Sequence, residues 1–119
     1  MSGASQRLGP RARHILEDET NEIFFSVITA WETVIKARLG KLTVVGEPDD
    51  YVRSRLRMQR LTMLPCTLDH VLGVANLRDH HRDPFDRLLV AQASSENLAM
   101  LSSDERLRSY DIEWIDARA

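Results

Sequence analysis

The chain reads as an α/β domain with a mainly parallel sheet. Three observations predict it. Short apolar runs recur at 22–26 (EIFFS), 61–64, 98–101 and 112–115. Stretches with helical periodicity separate them, and strand–helix alternation of this kind is the pattern of parallel α/β sheets. The length of 119 residues allows one domain, 1–119, with its own core but not two. Ligands of such sheets bind beyond the carboxyl ends of the strands, so acids just after strands are the ones to examine.

Each element has a local cause. The first eight residues read as a tail or connecting loop. Gly9 and Pro10 open a short helix to about Glu17, with proline in the first turn, where its missing N–H removes no bond. EIFFS at 22–26 is a compact strand. Ser26 is an N-cap for a helix running to Leu39, and Gly40 is the C-cap signal. A polar loop over 46–50 leads to a helix over roughly 51–60. The strand at 61–64 is stopped by Pro65, and Thr67 caps a helix through about Leu77. Asp83, Pro84 and Asp86 mark the start of a helix over 84–96. The strand at 98–101, a short helix at 104–109 and a last strand at 112–115 complete the chain.

Composition narrows the function. The net charge of −2 gives no general polyanion binder. The basic residues are skewed to fourteen Arg against two Lys, and Arg offers planar bidentate contacts to phosphate and carboxylate. A GC-rich coding bias gives the same skew. No apolar run approaches a membrane span, and MSGASQRLGPR has no signal-peptide core. Cys66 is alone, which excludes an intrachain disulfide and a thiolate metal cluster. The cytoplasm is the expected compartment.

Three acids are candidates for chemistry, each beside a plainer role. Asp104 follows the 98–101 strand after two serines, where an N-cap is equally expected. Asp86 is the third residue after Asp83, and the pair fits a cap with a first-turn acid favoured by the helix dipole. That explains Asp83 well and Asp86 less fully, because Asp86 lies beside Phe85, Leu88 and Leu89. On the helix after Ser26, the residues Val27, Ile28, Trp31, Val34, Ile35 and Leu39 form an apolar stripe, and Glu32 falls at its edge. Lys36, four residues on, is a surface partner for it. Carboxylates gathered from separate elements would suit a hard cation, Mg²⁺ or Mn²⁺ rather than Zn²⁺. Metal-assisted phosphodiester hydrolysis is the matching chemistry, an ion activating water and neutralising charge on the scissile phosphate.

Taken together, SVITAWETVIK at 26–36, GKL at 40–42, HHRDPFDRLLVAQA at 80–93 and LSSDERL at 101–107 resemble the PIN-domain family, nearest to the VapC-type toxins of bacterial toxin–antitoxin pairs. The resemblance implies a PIN-like three-layer sandwich, a mainly parallel sheet flanked by helices. It implies a Mg²⁺- or Mn²⁺-dependent endoribonuclease with RNA as substrate and a cognate antitoxin as partner. By motif, Glu32, Asp86 and Asp104 resemble the family's catalytic and metal-holding acids. Ser26, Thr29, Asp83 and Ser102 are secondary polar contacts, Asp83 chiefly as the cap. Arg78 stands where many relatives have proline.

One departure outweighs the rest. The family opens with a hydrophobic strand ending in an aspartate, and this chain starts at a segment like the one that follows it. A start written too late, a fragment made on purpose and a degenerate homologue each give that result, the first two being preferred. The expectation is a domain with its first, central strand missing, and weak or absent cleavage.

Arg53, Arg57 and Arg60 fall at i, i+4 and i+7, and with Arg82 and Arg87 they are the candidates for an RNA backbone. A solvated helix face is the preferred explanation of the stripe. His80 and His81 are read as substrate-side or structural. Trp31, Trp114 and Tyr110 are expected to pack, and Met58, Met63 and Met100 to fill the core. The alternatives are a non-catalytic PIN-like module that binds an antitoxin or forms a homodimer, and a plain α/β domain whose acids are caps.

Overall fold

A computed structural model describes residues 8–77 and 83–119 of the chain. Helix α1 (Pro10–Glu17) begins on its proline, as expected. The N–H of Gly9 donates to Ala117 O at 2.9 Å and that of Arg11 to Ala119 O at 3.1 Å. A Cβ at Gly9 would overlap the Ala119 carbonyl, so glycine is what lets the two ends of the described chain touch.

Strand β1 (Phe24–Ser26) runs straight into α2 (Val27–Arg38). Ser26 Oγ accepts the Ile28 N–H at 3.0 Å, the N-cap that its position predicts. Gly40 is left-handed (φ 73°), which turns the N–H groups of Lys41 and Leu42 back onto Lys36 O at 2.9 and 3.2 Å. Helix α3 (Pro48–Met58) starts inside the run expected as a loop, because Pro48 takes the first turn and Asp49 and Asp50 follow it there. It also ends early. Arg60 has φ 54° and lies off the helix, so the expected stripe of three arginines keeps only Arg53 and Arg57 on α3.

Strand β2 (Thr62–Leu64) is followed by α4 (Leu68–Gly73) and a 3₁₀ turn (Val74–Asn76), where one helix was expected. Helix α5 (Pro84–Glu96) has the bounds that the sequence predicts, and Asn97 closes it at φ 56°. Strand β3 (Met100–Ser102), a 3₁₀ helix (Glu105–Ser109) and strand β4 (Trp114–Asp116) follow.

The order of elements is α/β and both pairings are parallel. β1 pairs β2 with Ser26 opposite Leu64, and β3 pairs β4 with Ser102 opposite Asp116. The strands form two pairs rather than one sheet, and no strand joins them among the described residues. Helix α5 packs on α4 and α2. One buried cluster joins Val90 of α5 to Leu107 and Tyr110, with Leu77, Met100, Ile112 and Trp114 against it.

Three expected core residues lie outside it. Trp31 is 56% exposed, Met58 82% and Met63 53%. Met58 is the last residue of α3, and Met63 belongs to a two-stranded pair that has little to cover it. Tyr110 and Met100 pack as expected. No helix among the described residues is long and apolar enough to cross a membrane.

Candidate active site

Asp83, Asp86 and Asp104 sit at the starts of two helical elements, while Glu32 lies in the second turn of α2. Asp83 is the N-cap of α5. Its Oδ1 accepts the N–H of Phe85 at 2.9 Å and, less closely, that of Asp86 at 3.4 Å. Asp86 follows in the first turn, half-buried, where the helix dipole favours a carboxylate. Asp104 is the N-cap of the 3₁₀ helix, its Oδ1 accepting the Arg106 N–H at 3.1 Å. Ser102 Oγ in turn accepts the Asp104 N–H at 3.0 Å and fixes the turn between β3 and that cap. Thr29 and Ser26 both lie in the α2 start, where Ser26 caps and Thr29 O accepts the Thr33 hydroxyl at 2.8 Å.

Two cations join these acids into one electrostatic region. Glu32 bonds Lys36 at 2.9 Å, and its side chain is only 17% exposed. Asp104 takes both faces of the Arg106 fork, Nε at 3.0 Å and Nη2 at 2.9 Å. The Lys36 ammonium is held above its ordinary pKa, chiefly by the hydrogen bond to Glu32, with Asp83 and Asp86 adding from nearby. Arg106 is raised in the same way, chiefly by Asp104, and it too is in the field of Asp86 and Asp83. Thus the α5 acids lie in the field of both cations, with Glu32 of α2 bonded to one and Asp104 at the β3 edge bonded to the other.

The donor chemistry of this set fits a hard divalent cation, since every donor is a carboxylate oxygen. The geometry is open. Among the described residues no three His, Cys, Asp or Glu side chains come together in a group able to hold an ion. Glu32 and Asp104 are each bonded to a cation of the chain itself.

The basic candidates scatter. Arg53 and Arg57 are exposed on α3, and Arg60 reaches Glu19 at 3.5 Å across the surface. Arg87 turns inward, with Nη2 3.4 Å from Val74 O. Arg78, His80, His81 and Arg82 lie outside the described residues.

Some contacts were not anticipated from the sequence. Arg106 is two residues after its acid, a spacing that marks any capped turn and gave no warning. Trp31 and Phe85 meet edge to face at 4.8 Å, which couples the glutamate helix to the start of α5. His70 is buried at 1% exposure. Its Nδ1 accepts the Thr67 N–H at 3.0 Å and its Nε2 meets Glu96 Oε2 at 2.7 Å, so the neutral ring carries its proton on Nε2. Gln92, also buried, donates to Pro65 O at 3.1 Å beside it. The signal was Thr67-x-x-His70, the spacing of a capping box with histidine in place of glutamate.

Comparison with known sequences places the chain in a family. Ribonuclease VapC16 of Mycobacterium tuberculosis (strain ATCC 25618 / H37Rv) is 40% identical over 58 residues, which is 49% of this chain and 40% of that protein. The match therefore spans less than half the length of that curated relative. The sequence profile described as PIN domain matches residues 5–113, nearly the whole chain. With that match, the parallel α/β fold and the acids of α2, α5 and the β3 edge in one region, the chain belongs to the PIN-domain family.

Proposed function

We propose that the chain is a Mg²⁺- or Mn²⁺-dependent endoribonuclease of the VapC toxin kind, acting in the cytoplasm and held in check by a cognate antitoxin. Its cleavage is weak in the arrangement described above. The observation that carries this reading is that acids of two elements surround each cation, Glu32 with Asp83 and Asp86 about Lys36, and Asp104 with the same α5 pair about Arg106. Ribonuclease VapC16, by its name, is a ribonuclease, and that activity comes to this chain as part of the proposal.

Glu32, Asp86 and Asp104 are the residues that would hold the ion, with Asp83 serving mainly as the cap. A bound divalent cation supplies activated water and neutralises charge on the scissile phosphate. The chain's own residues prepare for it. Lys36 holds the Glu32 carboxylate by a direct bond, and the bidentate Arg106 fixes the plane of the Asp104 carboxylate. Exposed Arg53 and Arg57 give a backbone-contacting surface on α3. The reason for weak cleavage is that these same cations occupy two of the three acids, while the acids stay too far apart to close on an ion.

RNA cleavage with and without Mg²⁺ tests the proposal. The expected result is slow cleavage, stopped by a chelator and lost in Asp86→Asn. Cleavage indifferent to both would refute the metal site. Rapid cleavage abolished by Asp86→Asn would refute the weak state.

A non-catalytic module that binds an antitoxin or forms a homodimer is the second reading. The exposed Leu68, Val71 and Leu72 of α4 favour it. It predicts no chelator-sensitive cleavage, and association lost in Val71→Glu.

A further inference from the structure

The site region carries an aromatic residue that packing does not explain. Trp31 precedes Glu32 on α2, and Phe85 precedes Asp86 on α5. The two rings meet edge to face at 4.8 Å and 71°, yet Trp31 keeps 56% of its surface exposed. An indole held against one ring and still more than half exposed has part of its ordering cost met before any ligand arrives. Its surroundings are charged. Glu32 is the next residue, Lys36 lies five residues on, and Arg38 falls seven residues on, nearly in line with Trp31 along the helix and about 10 Å away. Both Lys36 and Arg38 are exposed. A flat ring with cations farther along the same helix suits a nucleobase and its neighbouring phosphates. The apolar stripe of α2 runs on to Leu39, 62% exposed, and it is the cations beside the ring that favour a nucleic acid over a protein partner.

We propose that Trp31, braced by Phe85, is a stacking platform for a base of single-stranded RNA at the edge of the acidic site. This rests on the ribonuclease reading and adds a positioning residue to it. Stacking on a planar ring accepts any base, so the platform would set where the strand lies rather than which sequence is chosen. Duplex RNA keeps its bases stacked on one another and would not use it.

The test uses the full chain and a fluorescently labelled single-stranded RNA oligonucleotide in chelator at low salt. Anisotropy reads affinity, and tryptophan emission is compared with that of Trp31→Phe, in which Trp114 alone reports. The expected result is quenching of wild-type emission by RNA but not of Trp31→Phe. Affinity falls about tenfold in Trp31→Leu and only a fewfold in Trp31→Phe. The same duplex sequence gives no quenching. Equal affinity in wild type and Trp31→Leu, or no emission change on binding, would overturn the platform. So would self-association of the wild type that Trp31→Leu abolishes while RNA affinity is unchanged, since the ring would then serve a second copy. A wild type that binds no RNA here but cleaves it with Mg²⁺ overturns the platform alone. A chain that does neither overturns the ribonuclease reading as well.

Discussion

Asp83 and Asp86 stand three residues apart and do different things. Asp83 spends one carboxylate oxygen on the N–H groups that begin α5. Asp86 is half-buried beside it, in the field that reaches Lys36 and Arg106. The division was legible in the sequence, since Asp-Pro before an apolar run is a cap signal and the later acid lies at the edge of the buried face. Lys36 was legible as a partner of Glu32, but not as a neighbour of α5, because that contact spans fifty residues of chain.

The same lysine gives a pH prediction. Its folded pKa lies above its ordinary value of 10.5, so the stability it contributes is complete below that value. It is lost as pH rises through the raised pKa. Exposed i,i+4 pairs contribute about 0.3–0.5 kcal/mol, and Lys36 is half-exposed, so the expected loss is of that order. Urea unfolding from about pH 9 upward should show wild type losing this increment while Lys36→Met does not. An identical pH dependence in both proteins would place Lys36 away from these acids.

Helix α5 is the element that organises the domain. Its bounds were readable because Asp83, Pro84 and the left-handed Asn97 are local signals. What it packs on was not, because the partners are distant in sequence. The His70–Glu96–Gln92 network is the clearest case, tying α4 to the last turns of α5 through a buried ring. His70 closes the α4 capping box, and both nitrogens of its buried ring find partners. Replacing it by alanine removes the cap's second half and leaves a cavity. The expected cost is about 2–4 kcal/mol of unfolding free energy by denaturant titration. Glu96→Gln keeps an acceptor and should cost about 1 kcal/mol. A His70→Ala chain as stable as wild type would mean that α4 and α5 do not depend on this contact.

Over the whole molecule, the α/β order was legible from alternation, and the separation into two strand pairs was not. Three-residue strands give no pattern long enough to reveal their neighbours. The exposure of Trp31, Met58 and Met63 has the same origin, since apolar character in a sequence says what can be buried and not what the fold has room to cover. Asp104 and Glu32 were found from their places after strands, and Asp86 from the cap signal that begins α5. The Glu32–Lys36 pair is encoded by its i,i+4 spacing, whereas the approach of the α5 acids to Lys36 and Arg106 depends on tertiary placement that no spacing encodes.

The account therefore turns on whether Glu32, Asp86 and Asp104 act as one unit. Mn²⁺ binding, followed by electron paramagnetic resonance on the full chain, tests this most directly. The account predicts one weak site that is lost in each of Glu32→Gln, Asp86→Asn and Asp104→Asn, kept in Asp49→Asn on α3, and tightened when Arg106→Gln frees Asp104. Binding that survives in any of the first three variants, or no binding even in Arg106→Gln, would contradict it.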